Sequence, residues 1–289
     1  MSKSVYEMVT DRIIEQLENG VIPWKKPWNG IASGAYNRIT KKPYSLLNQM
    51  LLKHTGEYAT FKQWTELGGR IRKGEKSEIL VFWKILPVEE KKEDGTTEIK
   101  QIAMLRYYNV FHISQVDGIE PLSYEPKELS PLDEAEKVIS DYLTREHIVL
   151  ENTASNEAYY SPSLDLVHLP LMEQFKNEAE YYSTAFHELT HSTGHKSRLD
   201  RLSSSTTARF GSADYSKEEL VAEIGSANLM NILGIQTTGS FRNSTAYIQN
   251  WLSALRSDVK FIVSASCKAE KAVKYILNAN SGSSEHGFR

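Results

Sequence analysis

The sequence predicts an α+β protein in two parts, an N-terminal half mixing helices with strands and a C-terminal half that is mostly helical with a small β-sheet. Three observations predict it. Two runs rich in Ile, Val, Phe, Trp and Tyr, 78–86 and 102–112, have the composition of strands. Apolar residues recur at helical spacing over 5–17, 178–193, 217–233 and 245–277. Between these groups the periodicity lapses over 117–131, where Pro121, Pro126 and Pro131 place a boundary. The expected parts are therefore 1–125 and 126–289.

Each element has a local justification. Val5, Val9, Ile13, Ile14 and Leu17 form one helical face that Gly20 closes. Residues 44–53 read as a short helix, and 60–67 as another, entered through Thr60 as N-cap and left through Gly68-Gly69. The polar stretch 89–100, with Asp94-Gly95, reads as a loose hairpin tip between the two strands. Beyond the boundary, 132–143 is an amphipathic helix and 147–150 a strand, while 158–171 reads as two extended runs around Pro162-Ser163-Leu164-Asp165. The last helical stretch is expected to break near Lys260.

Composition excludes several classes. One cysteine in 289 residues forbids an intrachain disulfide, so a bridge-stapled scaffold is out. No stretch approaches the roughly 20 uncharged apolar residues that span a bilayer, and the first thirty residues hold no apolar leader core. The expectation is a cytoplasmic protein with no membrane partner. The formal charge of −3 hides an uneven distribution: between Trp24 and Lys84 twelve Lys/Arg face four acids, a local excess of +8. Four of the five tryptophans lie in that stretch, interleaved with the cations. Aromatic faces that stack on bases beside cations that follow phosphates would suit single-stranded DNA without sequence preference. Lys25, Lys26, Arg38, Arg70, Arg72, Lys73 and Lys76 are the phosphate candidates, and Trp24, Trp28, Tyr44 and Trp64 the stacking candidates, with at least two of these aromatics expected to be buried instead. No recognition-helix or zinc-finger spacing supports duplex reading.

The most informative run is His187-Glu188-Leu189-Thr190-His191. Histidines four apart on a helix lie about 40° apart on one face, so both can grip one tetrahedral metal while Glu188 flanks its water as general base. Gly194 ends the helix just beyond. A third ligand is required. A histidine six residues past His191 would supply it in one common pattern, but that position is Ser197. Glu219 and Glu223 lie one turn apart on a later helix whose small residues, Ala222, Gly225, Ser226 and Ala227, allow close approach. Ser216-Lys217-Glu218-Glu219 reads as a capping box that would occupy Glu219 at the helix start, leaving Glu223 as the expected ligand. Cys267 sits at helical spacing among apolar residues and reads as core.

With these stretches in view the chain resembles, from end to end, the ArdC-type antirestriction proteins of conjugative plasmids and mobile elements. In the first half the likeness runs through Ile22-Pro23-Trp24, Pro43-Tyr44-Ser45, 58–64, 71–76 and 108–111; in the second through 158–160, Leu169-Pro170, 187–201, Phe210-Gly211, 218–223 and 247–255. The resemblance implies a single-stranded-DNA-binding N-terminal domain joined to a zincin-like metallopeptidase domain, and protection of incoming plasmid DNA from host restriction during conjugation. Zn2+ is the implied cofactor, with Mn2+ as an alternative, and a protein substrate is the implied second partner. Tyr215 and His195 are the nearest candidates for an oxyanion donor. Two other readings remain open: a coating protein whose metal is structural or regulatory, and a regulatory protease that cuts a DNA-bound repressor or a restriction subunit.

Overall fold

Chain entry into the first helix is fixed by Ser4, whose hydroxyl accepts from Glu7 N while the Glu7 carboxylate accepts from Ser4 N, and α1 (Val5–Glu18) follows. The structure is a computed structural model that describes residues 3–25, 34–91, 97–122, 131–202, 213–235 and 245–279. After a 3-10 turn at Pro23–Lys25 come β1 (Ala35–Asn37), α2 (Leu46–Leu51), β2 (Gly56–Ala59), α3 (Phe61–Glu66), β3 (Arg70–Ile71), β4 (Glu78–Lys91), β5 (Thr97–His112) and β6 (Val116–Asp117). The main sheet runs β1-β2-β5-β4, with β1 parallel to β2 and the other pairs antiparallel.

Sequence reading found α1, α3 and the two long strands but not β1 or β2. Three and four residues are too short for an alternation to declare itself. Their position depends on non-local bonds instead: Gln49 Nε2 donates to Ala35 O at 2.8 Å and Ala35 N donates to Gln49 Oε1 at 2.7 Å. The hairpin also extends further than expected. Pairing continues from Glu78↔Val110 to Lys91↔Thr97, so most of the polar stretch 89–100 is strand.

The C-terminal half opens with α4 (Pro131–Glu146) and a three-stranded sheet ordered β7-β9-β8, formed by β7 (Val149–Thr153), β8 (Tyr159–Ser161) and β9 (Leu166–Pro170). Against it lies α5 (Glu178–Ser192); α6 (Ala213–Ile232) packs on α5, and α7 (Thr245–Ser257) and α8 (Phe261–Ile276) pack on α6. The break expected near Lys260 falls there, with Lys260 N donating to Asp258 Oδ1. One departure bears on the site. α6 begins at Ala213, so Ser216 lies inside its first turn and cannot be the N-cap.

The proposed boundary at 125/126 lies outside the described residues. The two halves nonetheless share a core: Val9, Ile13, Leu17, Trp24, Leu47 and Met50 pack with Leu220, Ile224, Trp251, Leu255, Phe261 and Ile262. A second core, built by α4, β9, α5 and the far ends of α6 and α8, lies entirely within the C-terminal half. No helix among the described residues is long and apolar enough to cross a membrane.

Candidate metal centre and nucleic-acid surface

α5 is entered through Asn177, whose side chain accepts from Glu180 N at 2.9 Å. It carries His187, Glu188 and His191 into the contact with α6, where all three are largely shielded from solvent. That contact is close because Gly225 of α6 lies over Thr190: a Cβ there would stand 2.7 Å from Thr190 Cγ2. Ser226 adds a tie, donating its hydroxyl proton to Ser183 O at 2.7 Å.

The two imidazoles converge, with His187 Nε2 and His191 Nε2 3.1 Å apart. Glu219 reaches both, Oε2 lying 3.5 Å from His187 Nε2 and Oε1 3.4 Å from His191 Nε2. These three residues form a group whose donor atoms could hold one metal ion. The separations fit: bonds of about 2.0–2.1 Å at tetrahedral angles set ligand atoms about 3.4 Å apart. The expected ligand was Glu223; the carboxylate that converges with both histidines is that of Glu219. With α6 starting a turn earlier, Glu219 is freed from the cap and points into the cluster. Glu223, one turn on, instead faces the other ring nitrogen of His187, its Oε1 3.8 Å from Nδ1.

An outer layer holds the inner one. Glu218 Oε1 stands 3.7 Å from His191 Nδ1, and Arg201 grips the same carboxylate at 2.7 Å while donating to Thr193 Oγ1 and Thr190 O. Each imidazole thus has a carboxylate behind it, the arrangement that fixes ring orientation and raises ligand basicity. Burial works against charge on His191, yet the bonds to Glu218 and Glu219 outweigh it and push its pKa up to about 10. Burial likewise opposes ionisation of Glu219, and the two histidines outweigh it, holding that carboxyl far below the usual range. The pocket favours positive charge at the meeting point of these groups. Below the site, Arg198 donates to Ser192 O at 2.7 Å and pairs with Asp165 and the Tyr160 hydroxyl, anchoring the segment after α5 to the β8–β9 turn. Asp165 and Arg198 carry no signal of this role in the sequence, since a lone turn aspartate does not point to a partner 33 residues on.

Of the oxyanion candidates, His195 is half-exposed with Nδ1 2.8 Å from Ser197 Oγ. Tyr215 lies in the first turn of α6, and its side chain is outside the described residues.

The nucleic-acid candidates divide sharply. Trp24 and Trp64 are buried: Trp24 packs edge-on against Trp251 at 5.2 Å, and Trp64 Nε1 donates to Phe111 O. Neither offers a face to a base, which corrects their assignment. Tyr44 is half-buried, with its hydroxyl donating to Tyr58 O. Arg38 is held by the buried Glu57 and by Glu120 O. Lys26, Trp28 and the Lys25 side chain lie outside the described residues. Arg70, Arg72, Lys73 and Lys76 are exposed, although Arg72 pairs with Glu75 and Asp117. Sequence reasoning passed over Trp83, which is 46% exposed on β4. Its position among strand residues of mixed polarity was the available signal.

Fold and site together define a zincin-like metallopeptidase domain following an α+β domain. Residues 135–268 match the zincin-like metallopeptidase family, and residues 3–111 the N-terminal domain of anti-restriction factor ArdC. The crystal structure of antirestriction ArdC protein from the R388 plasmid superposes at a TM-score of 0.73 with 34% identity, covering 95% of this chain and 97% of that one. Its Mn(II)-bound form gives 0.74 with 32% identity, over 97% and 99%. A DNA primase TraC of Escherichia coli is 34% identical over 96% of this chain, which spans only 27% of that primase. The uncharacterized protein y4eC of Sinorhizobium fredii is 32% identical, over 94% of this chain and 91% of its own length. The chain belongs to the ArdC antirestriction family.

Proposed function

We propose that this protein is an antirestriction factor that binds single-stranded DNA, chiefly through residues 1–125, and cleaves a protein substrate at a zinc centre in residues 126–289, so protecting incoming plasmid DNA during conjugation. The observation that carries the enzymatic part is the meeting of His187, His191 and Glu219 with Glu188 beside them on α5. His187 Nε2, His191 Nε2 and a Glu219 oxygen would hold the ion. A bound Zn2+ lowers the pKa of water toward ~7 and polarises a carbonyl. Mn2+ is the alternative, supported by the Mn(II)-bound relative.

The chain's own residues do the rest. Glu188 takes the proton of the attacking water and passes it to the leaving amine, a role that its place between the two histidines on one helix supports. Glu223 and Glu218 orient the two rings from behind, and Arg201 fixes Glu218. An extended substrate segment could add along the β8–β9 sheet beside α5. For DNA, the exposed cations of 70–76 support phosphate contact without base reading.

Glu188→Gln tests the reading. It should lower peptide hydrolysis by about 10²–10⁴-fold with metal and DNA binding retained. Loss of protection in a conjugation assay by the same variant would tie the antirestriction effect to cleavage. Full protection would instead favour the strand-coating reading.

A further inference from the structure

Where the two halves share their core, the surface opens into a cleft of about 560 Å³ between α1, β4, the start of α6 and α8. Its walls carry Lys217, Lys260, Lys268 and Lys271 against a single acid, Asp258. Helical spacing explains the concentration: residues 264, 267, 268 and 271 fall on one face of α8, and Lys260 stands at its N-cap. Lys268 and Lys271 are exposed, and among the described residues no carboxylate forms an ion pair with either. The Lys260 ammonium stands 5.6 Å over the Tyr6 ring.

The floor is aromatic. Trp83 meets Tyr6 edge-on at 6.4 Å and lies against the Cys267 side chain, yet the residue remains 46% exposed. An indole held at its edge and open to solvent, beside the exposed Lys268 and Lys271, has the two components that grip a nucleotide: a platform for the base and cations for the phosphate.

We propose that this cleft is a nucleotide subsite in which an unpaired base of a DNA strand stacks on Trp83 while Lys268 and Lys271 hold its phosphate. The proposal rests on the single-stranded-DNA reading and deepens it: the strand's path extends beyond the basic N-terminal segment onto a helix of the peptidase half. One face of α8 reads the DNA while other residues of the same helix pack with α6, which carries Glu219.

The molecule contains its own probe. Cys267 is the one cysteine in the chain and lines the cleft. Its thiol is half-buried, and burial pushes its pKa up, so modification by a maleimide should be slow and easily followed. With the full chain, oligothymidylate binding is measured by anisotropy and Cys267 modification in parallel. Oligothymidylate should slow the modification in proportion to occupancy. Lys268→Gln with Lys271→Gln should reduce the salt slope of binding by about 0.7 for each phosphate no longer neutralised. Trp83→Ala should weaken binding about fivefold or more, with Trp83→Tyr retaining most of the affinity.

Full affinity, an unchanged slope and an unprotected Cys267 would overturn the subsite and leave the DNA reading standing. No anisotropy change at all would overturn both. Protection by free thymidine monophosphate would support the subsite as a site for single nucleotides. Equal protection by poly-glutamate would overturn it in favour of a general anion surface.

Discussion

The α5–α6 contact and the 70–76 segment both gather charged residues, but they hold them in opposite ways. At the helix contact, His187, Glu188 and Glu223 are each at most 9% exposed, and both histidine rings and Glu218 face a counter-group within 4 Å. Along 70–76 the cations stand in water, and only Arg72 is paired among the described residues. Buried charges interact through a weak dielectric and are fixed in place, which suits a small ion that demands geometry. Solvated charges are screened within about 10 Å at 0.1 M salt, which suits a long polyanion that demands none. The two regions therefore differ in how much a single residue matters.

The sharpest way to break this contrast is at the buried site. Glu219→Ala removes one of three ligand groups and should abolish stable metal retention. Glu223→Ala removes only the carboxylate behind His187 and should weaken metal affinity by about 10–100-fold. Chelation followed by titration with zinc, read by metal analysis, ranks the two variants. A stronger effect from Glu223→Ala would return the ligand role to that residue and contradict the geometry.

Gly225→Ala probes the same contact through packing. The new methyl would meet Thr190 Cγ2 at 2.7 Å and Oγ1 at 2.8 Å, and Thr190 is fully buried, with its hydroxyl donating to Phe186 O. Overpacking of this kind costs about 1–3 kcal/mol. Denaturant midpoints should fall accordingly, and Thr190→Ala in the same chain should recover much of the loss, because Thr190 supplies both of those close approaches. Additive losses would show that the helices are not limited by that contact.

The same contrast explains what the sequence could reveal. A metal pair on one helix is a local property: spacing of four residues is written in the chain, and the structure brings His187 and His191 together. The choice between Glu219 and Glu223 rests on an equally local feature, the apparent cap at Ser216, and that residue lies inside a helix that begins at Ala213. Which tryptophan is exposed is not local. Trp24 and Trp64 lie in runs as basic as that around Trp83, but Trp24 is buried by Trp251, more than two hundred residues away, and Trp64 by its contacts to the end of β5. Composition announces that aromatics and cations coexist; only the tertiary packing says which of them meets solvent.

Between the two extremes lies the Asp165–Arg198 pair, partly buried and fully engaged. Burial opposes the charged form of Asp165, but the bonds from Arg198 and Tyr160 outweigh it and hold the carboxyl below its usual value. A depressed native pKa stabilises the fold above the unfolded value of about 3.9, and the benefit is lost as pH falls through the native value. Asp165→Asn should therefore lower the denaturant midpoint at pH 7, and the gap between the two proteins should narrow as pH falls below the unfolded value. Asparagine tolerates the left-handed backbone at this position, φ +48°, so the substitution isolates the charge. A gap that persists unchanged at pH 3 would locate the effect in shape instead of ionisation.

The smallest expected effect distinguishes residues within the solvated region itself. Each lysine that neutralises a phosphate contributes about 0.7 to the salt slope of single-strand binding. Lys73 and Lys76 have no carboxylate partner among the described residues and should each contribute nearly that amount. Arg72 is different: its guanidinium already meets Glu75 at 3.0 Å and Asp117 at 3.4 Å, and it donates to Ser114 O. Recruiting it to a phosphate means giving up those partners, so the counterion that a free cation would release is largely replaced in advance by carboxylates. Arg72→Gln should leave the slope close to that of the parent chain, whereas Lys73→Gln and Lys76→Gln each flatten it. Binding isotherms of an oligothymidylate at several salt concentrations compare the three. If Arg72→Gln flattens the slope as much as either lysine variant, the ion pairs around Arg72 open on binding, and this segment rearranges when it meets DNA.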